Sequence, residues 1–464
     1  MRPAASRSGG AALALLAFAQ FVIAVDYNIV YVALPEIGAA LGFTPQSLQW
    51  VVSSYAVAFG GFLLLGGRVV DRAGGRRVFV AGLLVFGLAC LAAAVVQDPG
   101  ALVAARAVQG FGGALLAPAT LALIGTRFAE GPERTRALAV WGAAGSGGLA
   151  AGALLGGVLT QVAGWRSVFL VLVPLALGAA ACAPAVLPPA RPQGVRPRLD
   201  VPGAVLATAG STSLVLGLVR GPEAGWLTPD SLGAITCGLA LLGVFVLVER
   251  RTREPLVPMR LLTHRTLATA IGVILVFQSA LGGAYYLFTL YLQGVLGFSA
   301  LQAGLVFVPL TVISMAASLR LAGLLLARWG PRPTLLAAMA LNGAGMLALA
   351  VAMTEEASFW ALLPGLVAWG VGGGVTFPAM FVAAASGVDP REAGVASALA
   401  TTAQQVGGAA GLAALVAVAT AGSGDGAALA DGLRTAMAVG AAASVAGGLL
   451  ALALRRAPAP AATE

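Results

Sequence analysis

Apolar stretches of roughly twenty residues, almost free of charge, recur along the whole chain, and they limit its fold more than any other feature. A hydrocarbon layer about 30 Å thick is crossed by a helix of about that length. Inside it every backbone N–H and C=O must find a partner within the protein, which a helix achieves by itself. Such runs extend from Ala11 to Leu34, Gln49 to Gly67, Val78 to Val96, Leu102 to Ile124, Ala137 to Leu159, Val168 to Leu187, Val201 to Val219 and Leu232 to Val248. Six more follow: Ala268 to Leu292, Ala303 to Ala327, Leu335 to Ala352, Phe359 to Ala385, Ala396 to Ala421 and Ala436 to Leu454. About fourteen transmembrane helices are therefore expected. Only 10% of the residues are charged, against about 25% in a soluble domain, which excludes an ordinary soluble protein.

All 27 basic side chains are arginines, and the net charge of +9 invites a nucleic-acid reading. Their distribution speaks for a membrane topology instead. With the N-terminus placed in the cytoplasm, most fall in cytoplasmic loops, such as Arg68, Arg72, Arg76, Arg77, Arg250, Arg251, Arg253 and Arg332, while the opposite loops hold Arg166, Arg220 and Arg434. Arg106 and Arg320 lie within spans. This positive-inside bias predicts that both termini are cytoplasmic. Arg2 and Arg7 ahead of Ala17-Phe18-Ala19 imitate a secretory leader, but the apolar run continues to Leu34, long enough to span. Cys90, Cys182 and Cys237 are scattered singly, so neither a disulfide framework nor a metal cluster is expected. No cofactor is expected, and residues 457–464 read as a disordered tail.

The chain also echoes itself. Gly67, Asp71, Arg72, Gly74 and Arg76 return as Gly323, Ala327, Arg328, Gly330 and Arg332. Gly110, Gly112, Gly113 and Pro118 return as Gly370, Gly372, Gly373 and Pro378, and Leu41-Gly42-Phe43 returns as Leu296-Gly297-Phe298. The offsets all fall between 255 and 260 residues. Parallel repeats in an apolar chain are a mark of secondary transporters, whose substrate site lies between the repeats near the bilayer midplane. The expected organisation is a six-helix bundle over residues 1–190, a linker with two extra helices over 191–265 and a second six-helix bundle over 266–456. Charged, proline-rich segments at Pro188 to Asp200 and Glu249 to Arg265 bound the inserted pair. Where the first copy has Asp26, Arg106 and Asp71, the second has Leu281, Leu366 and Ala327, so the ionisable groups belong to the first half.

Asp26 is the acid that lies well inside a span. A charge at the centre of a membrane helix costs roughly 2.5 to 3.5 kcal/mol on insertion scales, so it calls for a function or a partner. Proton coupling and a structural hydrogen bond to a neighbouring helix are both open. Tyr27, Asn28 and Tyr31 form an aromatic and polar cluster beside it, with Pro35 ending the span. Such a cluster suits an amphipathic solute, although Tyr31 also suits an interfacial anchor. Arg106, followed by Gln109, needs a polar or anionic partner within the fourth helix. Asp71 is placed to cap a helix of the other half as a latch, or simply to set topology in a charged loop. Gly148, Gly152 and Gly156, four apart, allow close helix packing. Tyr55, Trp141, Gln278, Tyr285, Gln404 and Gln405 are further polar or aromatic groups within spans and join Gln109 as candidate substrate contacts.

These segments resemble the major facilitator superfamily over nearly the whole chain, and in particular its fourteen-helix drug:proton antiporter branch. Gly67 to Arg77 is similar to the signature loop between helices two and three, and Leu102, Arg106, Gln109, Gly110 and Gly112 to the proton-relay motif of helix four. Asp26 with Val32, Ala33, Leu34 and Pro35 resembles the branch's first-helix motif, and Asp200, Gly203 and Leu206 its seventh-helix pattern. Gly152-Ala153 stands where the helix-five motif has Gly-Pro, and Leu172 where the family has Asn. The resemblance implies an all-α fold of two six-helix bundles plus two inserted helices. It implies a proton-coupled exporter of amphipathic small molecules by alternating access, working as a monomer in the cell membrane. It implies proton coupling by Asp26 and Arg106 and gating by Asp71, Arg72, Gly74 and Arg76. The single buried acid, with Arg320 in the tenth helix, points to a neutral, monovalent or weakly acidic cargo. An importer on the same scaffold is the alternative within this fold. A membrane enzyme fares poorly, because His264 is the lone histidine and sits in the linker, and no soluble domain marks a sensor.

Overall fold

The computed structural model describes residues 4–128, 132–187, 200–225, 227–252, 255, 257, 259–388, 393–421 and 427–454. The linker 188–199, the tail 457–464 and the side chain of Asp71 lie outside the described residues. All regular structure among them is helical. The rods are α1 (Ala4–Leu41), α2 (Trp50–Ala73), α3 (Gly75–Val95), α4 (Pro99–Arg127), α5 (Pro132–Ala163), α6 (Ser167–Val186) and α7 (Val201–Ala224). They continue as α8 (Pro229–Glu249), α9 (Arg265–Val295), α10 (Ala300–Trp329), α11 (Pro331–Ala352), α12 (Phe359–Ala385), α13 (Ala393–Thr420) and α14 (Ala427–Leu450). Each apolar run of the sequence falls in one of these rods. Twelve of them are long and apolar enough to cross a membrane, while α2 and α7 contribute the shorter apolar stretches Trp50–Leu63 and Pro202–Leu218.

Helix ends follow local chemistry. Asp98 accepts from Ala101 N at 2.7 Å to cap α4, and Ser299 with Gln302 forms a capping box at the start of α10. The repeated glycines occupy matching turns. Gly74 and Gly330, between α2 and α3 and between α10 and α11, have φ of 88° and 75°, and Gly42 and Gly297 have φ of 72° and 66°. Only glycine adopts this region readily, so these residues recur because the turn recurs. Pro35 does not end α1, which runs on to Leu41 with the proline inside it. A membrane helix tolerates such a proline when neighbouring groups meet the freed backbone. Gln293 Nε2 of α9 donates to Val32 O at 3.0 Å, one residue beyond the Tyr31 carbonyl that the proline leaves without its helical donor.

Packing repeats as well. In the first half α1 lies on α5, α2 and α3 lie on α4, and α3 lies on α6. In the second α9 lies on α13, α10 and α11 on α12, and α11 on α14. Across the halves α2 meets α13 and α5 meets α10, a pair of contacts that the same two-fold relation exchanges. The inserted α7 sits beside the α2/α13 seam and carries α8 on its outer side. The outer surface is apolar, with Leu88 at 56% and Val351 at 67% exposure, as a lipid-facing belt requires.

Glycine makes the tightest of these contacts possible. A Cβ at Gly148, Gly152 or Gly156 would lie 2.6, 2.5 or 2.6 Å from the carbonyl oxygens of Phe21, Val25 and Ile29. One stripe of α5 thus presses on the backbone of α1, turn by turn.

Candidate transport site

A cavity of about 1240 Å³ lies between the halves. Its α1 wall is formed by Gln20, Ile23, Ala24, Tyr27 and Asn28, one stripe at helical spacing. Tyr55, Trp141, Gln278, Tyr285, Gln404 and Gln405, candidate substrate contacts in the sequence, line it. It reaches the end of the molecule where Gly67, Arg68, Pro255 and Phe381 form its rim. Arg68 Nη2 donates to the Pro255 carbonyl there, tying the segment after α8 to the end of α2.

The opposite end is shut. Gly157 of α5 and Gly304 of α10 allow backbone approach across the halves: a Cβ at Gly157 would fall 2.8 Å from Ala300 O, and one at Gly304 would fall 2.9 Å from Ala153 O. Gln161 accepts from Ser299 Oγ at 3.0 Å in the same seam. Aromatic rings roof the cavity: Tyr27 to Tyr31 at 5.9 Å, Tyr31 to Tyr285 at 6.0 Å and Tyr285 to Trp369 at 5.2 Å between centroids. Tyr31 is buried in this roof, behind the residues of the wall, and is not an interfacial anchor.

Asp26 lies off the cavity stripe, one residue from Tyr27 but turned about 100° around the helix. It faces α4, where Arg106 Nη1 donates to its Oδ1 and Oδ2 at 2.9 and 3.0 Å. The same Nη1 reaches Gln109 Oε1 at 2.7 Å, and Arg106 Nε donates to Val51 O at 2.9 Å. Gln109 Nε2 donates to Asp26 Oδ1 at 2.8 Å and to Cys90 Sγ at 3.0 Å. Asp26, Arg106 and Gln109 are buried and absent from the cavity wall. Gln109 therefore sits with the ion pair and not with the candidate substrate contacts. The Arg106 guanidinium carbon stands 4.5 Å from the Tyr55 ring centroid. Burying these charges together, hydrogen-bonded to each other and to Gln109, is the arrangement that lets an ion pair persist in an apolar interior.

Asn28 lines the cavity while its Nδ2 donates to Leu149 O at 2.9 Å. At the junction of α2 and α3, Arg72 in the last turn of α2 is exposed, Gly74 forms the turn and Arg76 in the first turn of α3 donates through Nη1 to Leu187 O, just past the end of α6, at 3.1 Å. Arg320 is exposed and does not line the cavity. The cationic lining residue is Arg68, which the sequence assigns to a loop. Gln20, Thr311 and Trp369 also line the wall without having been expected there. Gln20 carries a readable signal, since it stands seven residues before Tyr27 on the same stripe. Among the described residues no carboxylate lines the cavity.

Residues 16–412 match the family described as the Major Facilitator Superfamily. The chain is 42% identical over 423 residues to the cephamycin export protein of Amycolatopsis lactamdurans, covering 90% of this chain and 87% of that one. It is 41% identical over 411 residues to the puromycin resistance protein of Streptomyces alboniger, covering 88% and 81%. With the lincomycin resistance protein of Streptomyces lincolnensis it shares 34% over 419 residues, covering 89% and 85%. A repeated six-helix packing, a cavity between the repeats and this match over most of the chain lead to one assignment: the protein is an all-α, multi-pass membrane member of the major facilitator superfamily.

Proposed function

We propose that the protein is a proton-coupled exporter of amphipathic small molecules of the antibiotic kind. The observation that carries this reading is the Asp26/Arg106 pair, sealed inside the first half directly behind the wall of a large cavity. Protonating Asp26 removes the anion that balances Arg106. Breaking a buried pair from one side costs about 3 to 5 kcal/mol, enough to bias the halves towards another arrangement. Two six-helix bodies, 1–190 and 266–456, rock about the cavity, with 191–265 carrying the inserted pair. The cavity opens to the cytoplasm and both termini lie there, a reading supported by the arginine bias of that end.

The wall combines aromatic rings with the amides of Gln20, Asn28, Gln278, Gln404 and Gln405, and its one charge among the described residues is Arg68. Neutral or anionic compounds with several hydrogen-bonding groups suit it best. The protein acts as a transporter and not an enzyme, with Asp71, Arg72, Gly74 and Arg76 forming the inner gate. Proteoliposomes loaded with puromycin, a cephamycin or lincomycin and given a pH gradient provide the test. Gradient-dependent transport is expected from wild type and its loss from Asp26→Asn, with folding retained by thermal melting. Gradient-driven transport at the wild-type rate by Asp26→Asn overturns the coupling role.

A further inference from the structure

Asp26 and Arg106 do not touch the cavity, so cargo must act on them through something that does. Tyr55 stands at both places. Its ring carries the Arg106 guanidinium 4.5 Å from its centroid, and it lines the cavity wall. It is 2% exposed, and its Oη has no hydrogen-bond partner among the described residues. Buried hydroxyls are nearly always paired, so this one is an unmet demand beside the cavity wall that a water or a small shift of the ring would satisfy. Its neighbours pack closely around it. Gly110 lets α4 close on the Tyr55 backbone, a Cβ at Gly113 would lie 3.3 Å from Tyr55 Oη, and Phe59 packs at 5.8 Å between centroids.

We propose that Tyr55 is the positioning residue through which an occupied cavity acts on the Asp26/Arg106 pair, an inference that rests on the proton-coupled reading above. Cargo that presses on the Tyr55 ring alters the hold of its π face on Arg106, and with it the share of Arg106 left for Asp26. The effect is reciprocal, because a proton on Asp26 leaves Arg106 leaning on Tyr55, Gln109 and the Val51 carbonyl. The titratable or charged groups that face Asp26 are Arg106 from α4, Tyr55 from α2 and Cys90 from α3, while Tyr31 of α1 faces Arg106. Of these, Tyr55 combines a ring under the guanidinium with a place on the cavity wall.

Two measurements on the full chain in lipid test this. The first needs no cargo: infrared difference spectra follow the protonated Asp26 carboxyl across pH, assigned by its absence in Asp26→Asn. Tyr55→Leu is expected to displace the midpoint by about half a pH unit or more, and Tyr55→Phe, which keeps the ring, by much less. An unchanged midpoint in Tyr55→Leu overturns the proposal. The second uses whichever of puromycin, cephamycin or lincomycin is transported and counts protons moved per molecule. Tyr55→Leu is expected to lower that ratio about fivefold or more, whatever its effect on cargo affinity. A loss of affinity with the ratio intact makes Tyr55 wall only and overturns the proposal. Wild-type coupling in Asp26→Asn is a separate outcome, and it removes Asp26 from the coupling.

Discussion

Arg106 shows how much one side chain can be asked to hold. Its Nη1 serves both oxygens of Asp26 and the oxygen of Gln109, its Nε serves the Val51 carbonyl, and its face rests on Tyr55. A lysine keeps the charge but not the planar fork, so it loses the Nε bond and the stacked contact together. Arg106→Lys is therefore expected to cut proton-driven efflux by about tenfold or more, the equivalent of one buried charged hydrogen bond. Efflux kinetics under a fixed pH gradient decide it, and a rate within about twofold of wild type contradicts this account. Asp26 itself is readable in the sequence as the acid inside a span. That its carboxylate turns from the cavity is not, because that depends on how α1 is rotated against α4.

Among the helices, the contact of α1 with α5 shows how spacing becomes packing. Gly148, Gly152 and Gly156 recur every four residues and meet the carbonyls of Phe21, Val25 and Ile29, which recur every four residues in turn. Ridges of this pitch interdigitate only where the side chain is absent. Gly152→Ala is expected to destabilise the fold by about 1 to 3 kcal/mol through overpacking. Gly147→Ala, with nothing within 4 Å of its Cβ position, is expected to be neutral. Thermal melting of both in detergent makes the comparison, and equal melting temperatures argue against tight packing at Gly152. The alanine after Gly152, where the resembling branch has proline, leaves α5 unbroken from Pro132 to Ala163. Ala153 instead lends its carbonyl to the approach of Gly304.

At the scale of the whole molecule, the proposed rocking of the two halves links closure at one end to opening at the other. The Gly157/Ala300 and Gly304/Ala153 contacts hold the far end shut while the arginine-rich end stays apart. Gly157→Leu places a bulky side chain in that seam and favours the state in which it is open. Spin labels at exposed Arg72→Cys and Arg328→Cys, on the ends of α2 and α10, are then expected to move closer together as the near end closes. A distance distribution identical to that of the labelled parent rules out this coupling of the two ends.

Segment lengths, their apolar character, the duplicated turns and the charge bias of the loops are legible from the residues alone, because each is a local property. A run of about twenty apolar residues becomes a helix in lipid whatever surrounds it, and Gly74 and Gly330 mark the same turn wherever it lies. The rotation of each helix is decided by the tertiary structure. In water an apolar stripe marks the buried face, but lipid is as apolar as a protein interior, so a membrane helix carries no such mark. Asp26 therefore faces Arg106, Tyr31 the roof, Arg68 the cavity rim and Arg320 the exterior through packing between helices, which no single segment encodes.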